Sequence, residues 1–462
     1  MKHGSHLALL AVLIAASAAA SAQDVNVYST TMVQNWEQNL PGFDKSKFLP
    51  ATEFLGVDAT KLGSDKLSLH LYGWGARDFQ DQSMPASKTD GDLTYCYLDY
   101  HFDQANADIK AGRFTVNQGV GNEQIDGISA RTDLRGGFSI SAFGGQPVIY
   151  KNMASNPQQD ITYQRNMIFG TRLAYQIPKM GEVGFSYLQD GSHAAKDLYV
   201  PEPIDYTRKQ AGVDMKLAPC SFITFTGRTV FDVASHPISE ASATPSSIAE
   251  HDYSATFRIT PQVTATGQFI ERNFFAYYAG STLPNLFNMN ERGMFKATGG
   301  NVTWLPIENL SLIADVRRTD REIYGDATRY GLDARYNFTA VHVLAGAGFH
   351  KVNAFDVVTV DPYSQAYSLS HSEARAWAML TRGDFSASLD AIQFHYTDSA
   401  SNPNLHGKAM ESEYVASLGY QLSTAFKASA DLTYEDTAFY QKQVMGLLRV
   451  EYRFGFKGLG GK

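Results

Sequence analysis

Towards its end the chain alternates. Val444, Leu448, Val450, Tyr452 and Phe454 share one parity, and Arg449, Glu451 and Arg453 occupy the other. A β-strand sends successive side chains to opposite faces, so one face of this stretch is apolar and the other charged. The same arrangement recurs from about Lys66 to Phe456. Leu310, Leu312, Ala314 and Val316 oppose Ser311, Ile313, Asp315 and Arg317; Tyr330, Leu332, Ala334 and Tyr336 oppose Arg329, Gly331, Asp333, Arg335 and Asn337. Ala374, Ala376, Ala378 and Leu380 oppose Glu373, Arg375, Trp377 and Met379, and Phe426, Ala428, Ala430 and Leu432 oppose Lys427, Ser429, Asp431 and Thr433. No apolar run in this span is long enough for a helix to cross a hydrocarbon core of about 30 Å. Many short strands, each greasy on one side, describe an all-β chain forming a single transmembrane antiparallel β-barrel.

The charged parity cannot face lipid. An Arg or Lys at the bilayer midplane on the outside of a barrel costs about 2–4 kcal/mol. The charged sets hold Arg172, Asp214, Arg258, Asp315, Arg317, Asp333, Arg335, Glu373, Arg375, Asp431, Arg449, Glu451 and Arg453. These residues are expected to line the interior, and a barrel of about sixteen strands or more is too wide for side chains to fill, which leaves water inside. Most of them are expected to pair with one another. Arg317, Arg335, Arg375 and Arg449 are expected to form a basic section of wall that biases which ions pass.

The first residues read as a signal for export: Lys2, an apolar run from Leu7 to Ala16, then Ala20-Ser21-Ala22 before Gln23, with cleavage expected after Ala22. Residues 23–65 do not alternate and contain Pro41, Gly42 and Pro50. They are expected to form a periplasmic N-terminal segment with a short helix near Met32 to Gln38, followed by the barrel over 66–456 and a C-terminal tail over 457–462. A net charge of −8 offers no basic surface, so nucleic acid is not an expected partner. Outer-membrane lipid is. The two cysteines, Cys96 and Cys220, form no Cys-x-x-Cys, so structural zinc and covalent haem lack a sequence basis and no cofactor or metal is expected. The 25 Tyr and 28 Phe fall largely near strand ends, among them Tyr72, Tyr95, Tyr100, Tyr336, Tyr420 and Tyr452, where aromatic girdles at the two membrane interfaces are expected.

Connections alternate in length. Short ones fall near 103–106, 134–136, 178–181, 260–261, 338–339, 381–383 and 422–424, and longer polar stretches such as 145–159, 189–207, 234–250, 277–291, 351–370 and 397–410 lie between them. Tight periplasmic turns and long external loops have this signature, and the count comes to about 18–20 strands, the pair around Ile125 to Phe143 being the weakest. Phe385, Ala387 and Leu389 are odd but Ile392, Phe394 and Tyr396 are even, which predicts a bulge near Asp390-Ala391. Arg113 breaks pattern too, since it shares the parity of Ile109 and Ala111.

In its alternating strands, unequal connections and aromatic-rich ending, Val450-Glu451-Tyr452-Arg453-Phe454-Gly455-Phe456, the chain resembles the porin-type outer-membrane barrels of Gram-negative bacteria. Ala111-Gly112-Arg113-Phe114 and Gly136-Gly137-Phe138-Ser139-Ile140-Ser141-Ala142-Phe143-Gly144-Gly145 also look like stretches of such channels. The chain departs from them in carrying Lys457 to Lys462 after the last aromatic. The resemblance implies a channel in the cell outer membrane for passive diffusion of ions or small polar solutes, and a possible homotrimer. The alternative is a sleeve or docking scaffold for another protein, such as a multihaem cytochrome in an electron conduit. An enzyme is not expected: Ser192-His193 and His371-Ser372 are adjacent in sequence, and strand neighbours point to opposite faces. His342 and His350, eight residues apart on one strand, stand about 26 Å apart and cannot share a metal ion.

Overall fold

The computed structural model describes residues 22–38, 45–83, 87–148, 164–193, 205–234, 248–273, 294–321, 325–355, 359–361, 364–365, 370–397, 399, 405–438 and 442–457. Twenty-three strands share one hydrogen-bonded sheet: 22 close into an antiparallel barrel, and one short strand, Ser46–Phe48, is appended to the end of the first. Closure is made by Ala22–Gln38, which pairs with Pro50–Leu62 on one side and with the final strand, Gln443–Lys457, on the other. In that seam Val27 faces Phe454, Ser29 faces Tyr452 and Thr31 faces Val450, so the alternation read at the end of the chain sets the register of its beginning.

Residues 22–62 therefore are not a lead-in but two wall strands and the short appended one. With the twenty strands from Leu67–Asp78 to Gln443–Lys457, they bring the barrel to 22 rather than 18–20. Their pattern is hidden because Ser29, Thr31 and Glu53 sit on the outer face. Glu53 accepts hydrogen bonds from both hydroxyls, and this mutual satisfaction lets polar groups occupy positions that read as non-alternating. The weak pair is real, as Gly121–Asp133 and Phe138–Pro147. The expected export segment lies outside the described residues, except that Ala22 begins the first strand.

Connections at 63–66, 103–106, 134–137, 178–180, 221–222, 259–262, 308–309, 383–384 and 424–425 are tight, and all lie at one end of the barrel. Most of the longer polar stretches lie outside the described residues. The bulge expected at Asp390-Ala391 is absent: Phe385–Tyr396 pairs without interruption on both sides. The parity changes because Phe394 and Tyr396 face inward, packing on His371, while the Tyr396 hydroxyl donates to Glu411 Oε2 at 2.7 Å. An irregularity does occur between Tyr72 and Gly73, whose partners Tyr95 and Leu93 leave Thr94 as the extra residue.

The outer face is apolar and open, with Leu332 at 66% exposure, Leu389 at 64% and Leu448 at 61%. At the tight-turn end, Tyr100 with Phe102, Tyr336 with Phe338 and Phe426 with Tyr452 form ring contacts on that face, a girdle at the water boundary. Tyr72 and Tyr95 do not join it. They lie on the inner face, stacked on one another at 5.6 Å.

Candidate functional site

Strands Ala107–Gln118 and Gly121–Asp133 form a hairpin with a two-residue tip, Gly119-Val120. Thr89–Phe102 pairs with it only as far as Cys96 opposite Arg113, and beyond that point the hairpin leaves the wall. Three glycines in register, Gly112, Gly127 and Gly145, mark the departure line. Gly112 has φ +129°, a conformation that L side chains rarely adopt, and a Cβ there or on Gly127 would strike the neighbouring strand's backbone. Glycine lets the sheet fold here.

The fold is inward. The Val120 amide donates to Ser186 Oγ at 3.0 Å, and Val120 packs against Val230 and Ala249 on strands further round the barrel. Beneath the hairpin, Phe114, Val116, Ile125, Phe143, Ile168 and Leu188 are all between 0% and 7% exposed and form one cluster on the inner face. Burying a large apolar side chain contributes roughly 1.5–3 kcal/mol, so this cluster is what holds the hairpin against the wall. Arg113, the residue of wrong parity, stands in the fork where the strands part. It makes a two-pronged ion pair with Asp126, Nε to Oδ1 at 2.7 Å and Nη2 to Oδ2 at 2.9 Å, and donates to the Leu93 carbonyl that the parting leaves unpaired. Gln124 likewise donates to the Thr94 carbonyl.

Beside the tip is a cavity of about 370 Å³ whose rim includes Gln118, Arg131, Ser141, Arg172, Asp214 and Arg228. Arg172 is the central group. It donates to Asp214 at 2.6 and 3.0 Å and to Glu182 at 2.6 Å, and the absence of a Cβ on Gly184 lets its guanidinium lie on that strand. Gln118 Oε1 is buried at the cavity edge with no hydrogen-bond partner. Nearby, the fully buried Glu250 accepts from Arg228 at 2.6 Å and from Arg272 at 3.1 Å. A carboxylate so placed is tolerable because two guanidinium groups replace its water.

A second charged region lies on strands Leu310–Arg321, Asp326–Phe338, Val343–Phe355 and His371–Arg382. Asp315 accepts from Arg329 at 3.0 Å and contacts His350 Nε2 at 2.8 Å, while Asp333 lies 3.4 Å from the same nitrogen. Gly331 and Gly348 leave the space in which the imidazole and the Asp333 carboxylate lie. Arg375 pairs with Asp390. Register puts Glu373 opposite His350, and Arg317 and Arg335 on the same face as Asp315 and Asp333, with no ion pair at either arginine among the described residues. Asp431, Arg449, Glu451 and Arg453 continue that face towards the closing seam, where Arg453 stands opposite Tyr28; Arg258 lies exposed near a tight turn. The thirteen positions read from sequence thus share one face but not one site: Arg172 and Asp214 meet at the hairpin, and Asp315 meets Asp333 through His350. Sequence reading missed Glu182, Arg228, Glu250 and Arg272, whose partners lie across strands. The apolar inner-parity run Phe114, Val116, Ile125 beside an outer-parity Arg113 was the available signal.

No family model and no curated protein matches the chain. Among solved structures it is similar to a ferric enterobactin receptor mutant from Pseudomonas aeruginosa in complex with enterobactin, at 9% identity and TM-score 0.55, covering 93% of this chain and 81% of that one. It is also similar to OccAB4 of Acinetobacter baumannii, at 10% identity and TM-score 0.44, covering 94% and 99%. Such likeness speaks to fold alone. Closed pairing, an apolar outer face and an aromatic girdle make this a transmembrane β-barrel of the outer-membrane kind.

Proposed function

We propose that the protein is a passive outer-membrane channel for ions or small polar solutes, narrowed by the hairpin 107–133 folded against its inner wall. The observation that carries this reading is the hairpin itself. Twenty-two strands about 4.8 Å apart and tilted by about 40° make a backbone cylinder about 44 Å across, far too wide for selectivity by the wall alone. An inward layer that brings Arg131, Arg172 and Arg228 beside a hydrogen-bonding tip supplies charged groups at close range. Arg317, Arg335, Arg375 and Arg449 would add a basic section to the opposite wall, with Arg375 moderated by Asp390.

The reading is tested by refolding the protein into planar bilayers and measuring reversal potentials in a salt gradient. Discrete conductance steps are expected; a membrane that stays silent at high protein concentration contradicts the reading. The width also favours a second reading, a sleeve around another protein such as a multihaem cytochrome. Against it, the docked hairpin takes up interior space. Purification with a stoichiometric haem protein would favour the sleeve, and conductance from the isolated chain the channel.

A further inference from the structure

One part of the inner face carries no arginine section and meets the hairpin only at its edge, where Tyr97 packs edge-on against Phe114 at 6.1 Å. On strands Ala22–Gln38, Pro50–Leu62, Leu67–Asp78 and Thr89–Phe102 it carries rings. Tyr28 and Tyr72 are stacked at 5.9 Å, Phe54 and Tyr72 at 6.3 Å, Tyr72 and Tyr95 at 5.6 Å, and His70 and Tyr97 at 5.0 Å, with interplanar angles of 15–26°. Tyr28 lies across Gly56, where any Cβ would collide with its ring, so the ring is held flat along the wall rather than projecting from it. The Tyr28 and Tyr95 hydroxyls bond at 2.7 Å, fixing the stripe across strands that are not adjacent. Each of these rings is half-buried. Cross-strand aromatic pairs steady a sheet, but on an outer-membrane barrel that need is met on the lipid side, where rings cost nothing to expose.

At the end of the stripe is a cavity of about 420 Å³ lined by Tyr28, Asn26, Asp58 and Arg453. Asp58 is held by His70 Nδ1 at 2.6 Å. The lining of this cavity carries one acid and one guanidinium, so its charge balances, together with an amide and the phenol of Tyr28 at the end of the stacked rings. We infer that this stripe is a binding track for neutral pyranose sugars, whose C–H faces stack on rings while their hydroxyls reach the polar rim. A net anion or cation would leave one charged wall group unanswered, whereas a ring-shaped polyol answers all of them.

The inference rests on the channel reading, and its test separates the two. Maltotriose is titrated against the full-length protein by calorimetry in detergent, which needs no open pore, and against single-channel current in bilayers. Saturable binding and concentration-dependent current block are expected, weakened about tenfold or more by Tyr72→Ala and by Asp58→Asn. Tyr72→Phe should retain most of the binding, and Tyr452→Ala, on the outer face, should retain all of it. Current without maltotriose binding overturns the inference and leaves the channel standing. Binding without current does the reverse. Block by tetramethylammonium but not by the sugar, or equal binding by wild type and both weakened variants, also overturns it.

Discussion

Two stretches of the inner face differ sharply although the same rule built both. Along 310–382 the inward positions include Asp315, Arg317, Asp333, Arg335, His350 and Arg375, charged and polar, with Ile313, Trp377 and Met379 between them; along 114–188 they include Phe114, Ile125, Phe143, Ile168 and Leu188, apolar and buried. The second stretch packs against the hairpin, and the charged first stretch is the one proposed to line the channel. Inner-face chemistry therefore reports what each section of wall touches, and a dry inner patch marks where the barrel has folded part of itself inward.

The comparison can be broken most forcefully at the dry patch. Phe143→Ala empties the centre of the buried cluster and is expected to cost about 3–5 kcal/mol, read as a lower denaturant midpoint for the refolded barrel. A loss under about 1 kcal/mol would mean that the cluster does not hold the hairpin. On the outer face, Leu332→Arg, one residue from an inward carboxylate, should cost about 2–4 kcal/mol in lipid. If it is tolerated, the two faces have been assigned the wrong way round.

The wet wall responds differently. Alanine at Arg317, Arg335 and Arg449 together should leave the midpoint almost unchanged and shift the anion-to-cation permeability ratio towards cations; an unaltered ratio removes these residues from the selectivity account. The smallest effect is expected in a turn, outside both regions. There Lys66 Nζ, 2.5 Å from Asp103, holds that exposed carboxyl below its usual range. Its small contribution is present above the ordinary carboxylate range and fades as pH falls through the lowered value, so Asp103→Asn should flatten the acid limb of stability slightly. A steeper limb would contradict the sign.

Where strands meet lipid outside and water inside, the alternation is legible residue by residue, as at Leu332 against Asp333 or Leu448 against Arg449. The first two strands were not legible because Ser29, Thr31 and Glu53 satisfy one another on the outer face and erase the contrast. The parity change in Phe385–Tyr396 misled for a related reason: an inward ring pair on His371 imitates a register shift. The candidate site was legible in its members but not its grouping. Arg172 and Asp214 can be placed on an inner face from sequence, yet that Gly119 and Val120 come to rest against Ser186 depends on a bend whose cause, three glycines aligned across separate strands, appears only once the register is known.

The direct test of the inward hairpin is a distance. Spin labels placed through Asn117→Cys and Ser139→Cys, with Cys96 and Cys220 replaced by serine, report it in the bilayer-reconstituted protein. Both positions line the same cavity, so strong dipolar broadening is expected. A hairpin that continued up the wall would separate them by about 36 Å at about 3.3 Å per residue, and unbroadened lines with a distance near that value would contradict the account.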